Sequence, residues 1–285
     1  MLTVTQEELS DPEKYIVMAS KTGYIKKTEL QLFKNLRRIG LRALVIEEDD
    51  DLIGAAISRN GDEILLSTKL GMACRFDQND DQIRPMGRTA RGVTGMRFKL
   101  PGDEVVSLEI IREHSYDEPE SMTDAEADDM DNLSESLEAE EDLSSTGPEV
   151  LVVTTGGMGK RSCVSTYRKT NRGARGVVNV RLRENETVLG VVQVTDEDEL
   201  MMTTERGQLV RIPVHEIRRV GRAAKGVIIM RLNDGDRITG ISKVAASEKT
   251  ESAATTEQPE NENTVQEPVP PRETPVAEEQ TPEQE

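Results

Sequence analysis

Ile64-Leu65-Leu66-Ser67-Thr68-Lys69-Leu70-Gly71, with Arg75 four positions after the glycine, is the stretch on which the fold turns. A short apolar run leads into a hydroxyl residue, a glycine and then a base. The pattern recurs as Tyr15-Ile16-Val17-Met18-Ala19-Ser20-Lys21-Thr22-Gly23 ending at Lys26-Lys27. It returns as Val150-Leu151-Val152-Val153-Thr154-Thr155-Gly156-Gly157 ending at Lys160-Arg161, and as Leu200-Met201-Met202-Thr203-Thr204-Glu205-Arg206-Gly207 ending at Arg211. Apolar and β-branched runs of this length, bounded by Gly, Asp and Asn, read as strands. Gly23, Gly71, Gly157 and Gly207 fall where a hairpin needs a positive φ, which glycine reaches without steric cost.

The four glycines are 48, 86 and 50 residues apart. The middle interval falls to one ordinary period once an acidic stretch at 113–148 is taken out, so that stretch is an insertion between repeats. Each repeat has two further parts. One is Arg-x-x-[Arg/Lys]-Gly-Val: Arg88, Arg91 and Gly92; Arg172, Arg175 and Gly176; Arg222, Lys225 and Gly226. In the first repeat Arg37-Arg38-Ile39-Gly40 departs from it. The other is an acidic turn before a last apolar strand, as in Asp49-Asp50-Asp51 before Leu52-Ile53 and Gly102-Asp103-Glu104 before Val105-Val106. Four strands in a repeat of about 50 residues predict an all-β, propeller-like array of four four-stranded blades. The expected blades are 13–57, 58–112, 149–194 and 195–244, after an N-terminal segment at 1–12. Such a blade cannot bury both faces alone, so its neighbours supply the core. Pro213-Val214-His215-Glu216-Ile217 fits either one helical turn or a loop.

The net charge of −18 argues against a nucleic-acid partner until its distribution is considered. Residues 113–148 hold 14 acidic residues and no Lys or Arg, and residues 245–285 hold 11 against Lys249 and Arg272. The rest carries 29 acidic and 34 basic residues, a net of +5. Both acidic segments are poor in strongly apolar side chains and are expected to be disordered. Cys74 and Cys163 lack partners at ligand spacing and suit a reducing compartment. No signal peptide and no apolar run of membrane-spanning length is present, so a cytoplasmic protein is expected, with no membrane partner.

The bases after each hairpin glycine and those of the Arg-x-x-[Arg/Lys]-Gly segment admit a bland reading, since Lys and Arg protect exposed strand edges. Four repeats placing them at matching positions favour a curved basic rim that neutralises phosphates along a bent duplex. The expected DNA-binding set is Lys26, Lys27, Arg37, Arg38, Arg75, Arg88, Arg91, Lys160, Arg161, Arg172, Arg175, Arg211, Arg222 and Lys225. Gly92, Gly176 and Gly226 either permit a tight turn or let backbone amides approach a phosphate.

Arg84-Pro85-Met86-Gly87-Arg88-Thr89-Ala90-Arg91-Gly92-Val93, Gly157-Met158-Gly159-Lys160-Arg161 and Gly221-Arg222-Ala223-Ala224-Lys225-Gly226-Val227 together resemble the C-terminal domain of the bacterial DNA gyrase A protein. So does Val191-Val192-Gln193-Val194-Thr195-Asp196. The resemblance covers roughly 13–244 outside the insertion. It implies a β-pinwheel, a propeller variant whose blades exchange strands, matching the last four blades of a six-bladed domain. It also implies a role in wrapping double-stranded DNA so that the complete type II topoisomerase introduces negative supercoils. The implied partners are DNA, the remainder of the gyrase A protein and, through it, the gyrase B protein. The family's glutamine-arginine-arginine-double-glycine box is missing, so wrapping is expected to lean on segments outside this stretch. Tyr15, Tyr24, Tyr116 and Tyr167 lack the catalytic context, and no phosphate-binding loop occurs. No catalytic residue, metal site or cofactor is therefore expected here, ATP and Mg being used by the complete enzyme through other parts. His114 and His215 read as surface residues. Two other readings fit the repeats: the equivalent domain of topoisomerase IV, and a propeller-like module whose basic rim binds an acidic protein.

Overall fold

The computed structural model describes residues 2–35, 38–112 and 147–245. The expectations for the acidic insertion and tail, and those on Arg37, His114 and Tyr116, lie outside the described residues.

Each apolar run forms the first arm of a hairpin, and the segment after the glycine forms the second. These pairs are β1 (Lys14–Ser20) with β2 (Tyr24–Glu29), β4 (Glu63–Thr68) with β5 (Met72–Asp77), β8 (Glu149–Thr154) with β9 (Met158–Cys163), and β12 (Glu199–Thr204) with β13 (Leu209–Pro213). The strands after the acidic turns, β3 (Leu52–Arg59), β7 (Val105–Ile111), β11 (Val188–Val194) and β15 (Ile238–Val244), pair antiparallel with the other side of each first arm. A 3-10 turn follows β2, β9 and β13, and Val214–Glu216 is the helical turn that the sequence left open against a loop.

The Gly-Val segments do not stay with their own repeat. β6 (Val93–Thr94) adds to β2 of the first repeat, β10 (Val177–Val178) to β5 of the second, and β14 (Val227–Ile228) to β9 of the third. Three sheets therefore have four strands, in the orders β3-β1-β2-β6, β10-β5-β4-β7 and β11-β8-β9-β14, each completed by the next repeat. The fourth, β13-β12-β15, has three. At each handover the hairpin glycine carbonyl accepts two amides of the incoming segment. Gly23 takes Gly95 and Met96, Gly71 takes Asn179 and Val180, and Gly157 takes Ile229 and Met230.

The core lies between sheets rather than within them. On β4, Ile64 and Leu66 join one apolar cluster with Val17, Ala19 and Ile25, while Leu65 points the other way into a second cluster with Val150 and Val152. On β8, Leu151 and Val153 join a third cluster with Leu200 and Met202. Period-2 side chains buried on both faces explain why these runs are continuously apolar instead of alternating. β3 packs on β7, β7 on β11 and β11 on β15. These last strands form one edge of each sheet, and the handed-over strands β6, β10 and β14 form the opposite, outer edge.

Candidate nucleic-acid interface

The bases nearest the hairpin glycines do not line an exposed rim. Lys26, Lys27 and Lys160 are fully buried, and Arg75 and Arg161 nearly so. Their charges are satisfied inside the chain, mostly by the following repeat. Arg75 pairs through Nε with Glu63 at 2.6 Å and donates through Nη1 to the carbonyls of Tyr167 (2.9 Å) and Val164 (3.3 Å). Arg161 donates to the carbonyl of Ile217 at 2.7 Å and pairs with Glu149 and Asp196. Lys160 Nζ donates to Ser162 Oγ and to the carbonyls of Gly221 and Arg222, and Lys26 Nζ to those of Ala43 and Arg88. Lys27 reaches Asp80 at 2.7 Å and Asn60 at 3.0 Å, and lies over the Tyr15 ring. Burial pulls the Lys26 ammonium down to about 8 and Lys160 well below the usual lysine range. In Glu63 burial pushes the carboxyl upward, but its hydrogen bonds to Arg75 and Lys169 outweigh this and hold it low. These five residues join one repeat to the next. Side chains covered in this way by the neighbouring repeat cannot also reach a phosphate.

The second group stands differently. Arg175 and Lys225 are exposed immediately before the outer strands β10 and β14. Arg88, Arg91, Arg172 and Arg222 are half-buried. Arg91 lies 3.8 Å over the Tyr24 ring and pairs with Glu47. Arg172 donates to the carbonyls of Gln82 and Thr94, and Arg222 to that of Val178. Arg38 and Arg211 are exposed, and Arg211 pairs with Glu199. Around Gly92, Gly176 and Gly226 the space a side chain would need is filled by protein: an added Cβ would lie 2.5, 2.2 and 2.7 Å from the carbonyls of Ile25, Ala73 and Gly159. The close approach these glycines permit is to the neighbouring strand.

A basic series was also missed. Five residues after each of these glycines stand Arg97, Arg181 and Arg231, within Met96-Arg97-Phe98-Lys99, Val180-Arg181-Leu182-Arg183 and Met230-Arg231-Leu232-Asn233. Arg97, Lys99, Arg183 and Arg231 are exposed and Arg181 is half-buried, while Met96, Val180 and Met230 between them are buried. The alternation of buried apolar and outward basic residues was the available signal. Eight residues before the same glycines stand Arg84, Arg168 and Arg218, of which Arg84 and Arg218 are exposed. The outer edge of consecutive sheets thus repeats a spaced row of cations, built from the flanks of the handed-over strands.

Cys74 and Cys163 are two separate buried thiols. The Tyr167 hydroxyl is buried and donates to Asn179 Oδ1 at 2.6 Å, so it holds a loop in place. His215 is exposed. Among the described residues no helix is long and apolar enough to cross a membrane.

The DNA gyrase C-terminal domain, beta-propeller, family model matches residues 14–59, 62–112, 148–195 and 198–245. The DNA gyrase A protein of Chlamydia pneumoniae is 37% identical over 200 residues, spanning 70% of this chain and 20% of that protein. Its Granulibacter bethesdensis counterpart is 34% identical over 238 residues, spanning 73% and 25%. The chain thus spans about a fifth to a quarter of the length of these relatives. Among solved structures, a C-terminal domain of DNA topoisomerase IV matches with a TM-score of 0.66 at 25% identity, covering 82% of this chain and 63% of that one. A DNA gyrase A C-terminal domain matches with a TM-score of 0.62 at 21% identity, covering 82% and 67%, and this likeness bears on the fold. With the family model matching all four repeats, the chain belongs to the DNA gyrase C-terminal domain, beta-propeller, family.

Proposed function

We propose that the chain binds and wraps double-stranded DNA as part of a DNA gyrase A protein, and that it acts with the remainder of that protein and with the gyrase B protein in negative supercoiling. The observation that carries this reading is the row of cations on the outer edges of successive sheets, with Arg175 and Lys225 before the handed-over strands and Arg97, Arg183 and Arg231 after them. Cations repeated from blade to blade suit a backbone that presents phosphates at regular intervals, and they position a duplex without reading its sequence. Distributed contacts are also what bending a stiff duplex demands.

The test is a salt titration of duplex binding. The logarithm of the affinity is expected to fall linearly with the logarithm of salt, with little dependence on sequence. Replacing Arg97, Arg175, Arg183, Lys225 and Arg231 together by Ala should flatten that line, by roughly 0.9 in slope for each phosphate no longer neutralised. An unchanged slope in a folded variant would reject the outer-edge interface.

A further inference from the structure

The cations of the outer edge ride on very short strands. β6 and β10 each pair with their host over two residues: Val93 and Thr94 opposite Ile25 and Tyr24, and Val177 and Val178 opposite Ala73 and Met72. Arg97 and Arg181 stand three residues after Thr94 and Val178, so wherever these strands sit, the cations follow.

A carbonyl of each strand is taken by an arginine from one repeat further on. Arg172, five residues before β10, donates through Nη1 to the carbonyl of Thr94 in β6 at 2.9 Å and through Nε to that of Gln82 at 2.6 Å. Arg222, five residues before β14, donates to the carbonyl of Val178 in β10. The correspondence is position for position. Arg172 and Arg222 stand four residues before Gly176 and Gly226, while Thr94 and Val178 stand two after Gly92 and Gly176. One guanidinium thus links the outer edge of the first sheet to that of the second, and another links the second to the third.

The first link is braced on both sides. Gln82 Oε1 accepts the Arg172 amide at 2.8 Å, and Gln82 Nε2 donates to Asn171 Oδ1 at 2.9 Å. The Gly173 amide donates to the Gly95 carbonyl at 2.7 Å and the Arg97 amide to the Ala174 carbonyl at 3.0 Å, which brings the Arg97 backbone itself into the joint. Arg175 and Lys225, three residues beyond the two linking arginines, are exposed, whereas Arg172 and Arg222 are half-buried with donors turned to protein carbonyls. A planar guanidinium holds two acceptors in a fixed fork, which the single ammonium nitrogen of a lysine does not reproduce. Such a joint matters under load: a duplex with a persistence length of about 150 bp recoils when bent, and the recoil passes from one row of cations to the next through the links between edges.

On the reading of the chain as a DNA-wrapping module, we propose that Arg172 and Arg222 are positioning residues for the wrap. They take no phosphate. They fix the outer edges of the first three sheets relative to one another, so that successive rows of cations hold a bent duplex instead of yielding to it.

The experiment separates binding from bending, using the full chain and two double variants, Arg172→Ala with Arg222→Ala and Arg172→Lys with Arg222→Lys. A duplex of about one helical turn, roughly 10 bp, reports local phosphate contacts through the salt dependence of its affinity. A duplex of about 50 bp, nearly straight when free, carries fluorophores at its ends and reports bending by energy transfer at saturating protein. Both variants should bind the short duplex with the salt slope of the parent chain and lose most of the energy transfer on the long one, with cooperative thermal melts. A short-duplex slope shallower by about 0.9 for each phosphate lost in the alanine variant would make these residues phosphate ligands and overturn the proposal. Energy transfer equal to that of the parent in either variant would overturn it too. The lysine variant keeps both charges, so it decides the matter even where the alanine variant does not fold: a retained bend means that charge suffices, a lost bend that the fork is needed. A parent chain that binds the long duplex without energy transfer would reject the wrapping reading itself, and the positioning role with it.

Discussion

Arg75 and Arg211 occupy the same place, four residues past a hairpin glycine and twelve past a glutamate with which each pairs. The Arg75 side chain is 0% exposed and that of Arg211 52%. Nothing local separates them. The second repeat has a successor whose loop carbonyls, from Val164 and Tyr167, close over the guanidinium, and no described segment does this for the fourth repeat. One motif therefore serves two physical ends: a buried tie between blades where a following repeat covers it, and a solvated ion pair where none of the described residues does.

The contrast can be broken most decisively by truncating both arginines. Arg75→Ala would take from the buried Glu63 its partner at 2.6 Å, leaving the 2.8 Å pair with Lys169 in place, and would remove this donor from two inter-repeat carbonyls. Breaking a buried pair from one side costs about 3–5 kcal/mol. Arg211→Ala should cost about 0.5 kcal/mol or less, as exposed pairs do. Urea unfolding of dilute protein measures both. Equal losses would mean that the β13 edge is covered in solution.

A smaller separation is expected at the glycines. An alanine Cβ at Gly176 would sit 2.2 Å from the Ala73 carbonyl, so Gly176→Ala combines left-handed strain with a backbone clash, about 2–4 kcal/mol together. At Gly207, with φ +83° and nothing within 4 Å, the strain acts alone, about 1–2 kcal/mol. Thermal melts of the two variants should differ in that order. The reverse order would show that the handed-over strand β10 is not seated as described.

How much of this was legible in the sequence follows from what is local. Hairpins, turn glycines and the repeat period are written in neighbouring residues, and the strands fall where Val150-Leu151-Val152-Val153 and its counterparts place them. The destination of Val93, Val177 and Val227 was not legible from the residues, because pairing with the preceding repeat leaves no local mark; only the family resemblance implied an exchange. The burial of Lys26, Lys27, Arg75, Lys160 and Arg161 was misread for a related reason: cations in strands are usually solvated, and these are sheltered by backbone arriving from far along the chain. Two signals were nevertheless present. Glu63 and Arg75, Glu149 and Arg161, and Glu199 and Arg211 are each twelve apart, as are Tyr15 and Lys27, whose ammonium lies 4.5 Å from the ring centroid. The place held by Lys26 and Lys160 is taken by Cys74 in the second repeat, and a thiol there predicts a buried position.

That last substitution yields an effect confined to alkaline pH, with a definite sign. Lys26 and Cys74 fill the same buried place, one as a cation whose Nζ donates to the carbonyls of Ala43 and Arg88, the other without charge. Burial lowers Lys26 from 10.5 to about 8, so between those values the unfolded chain holds a proton that the folded chain has released. Stability from this group therefore rises as pH increases from about 8 to 10.5, and below that window its burial cost is constant. An amine still donates two hydrogen bonds, so the carbonyls keep their partner when the proton leaves. Lys26→Met removes the titrating group while filling the volume. Its unfolding free energy should lose about 2 kcal/mol of that alkaline rise between pH 8 and pH 10 relative to the parent chain. Chemical denaturation at pH 8 and at pH 10 reads the difference directly. A parent chain and variant with parallel pH profiles would mean that Lys26 reaches water in solution, and the first junction would then resemble the open fourth edge more than the closed second one.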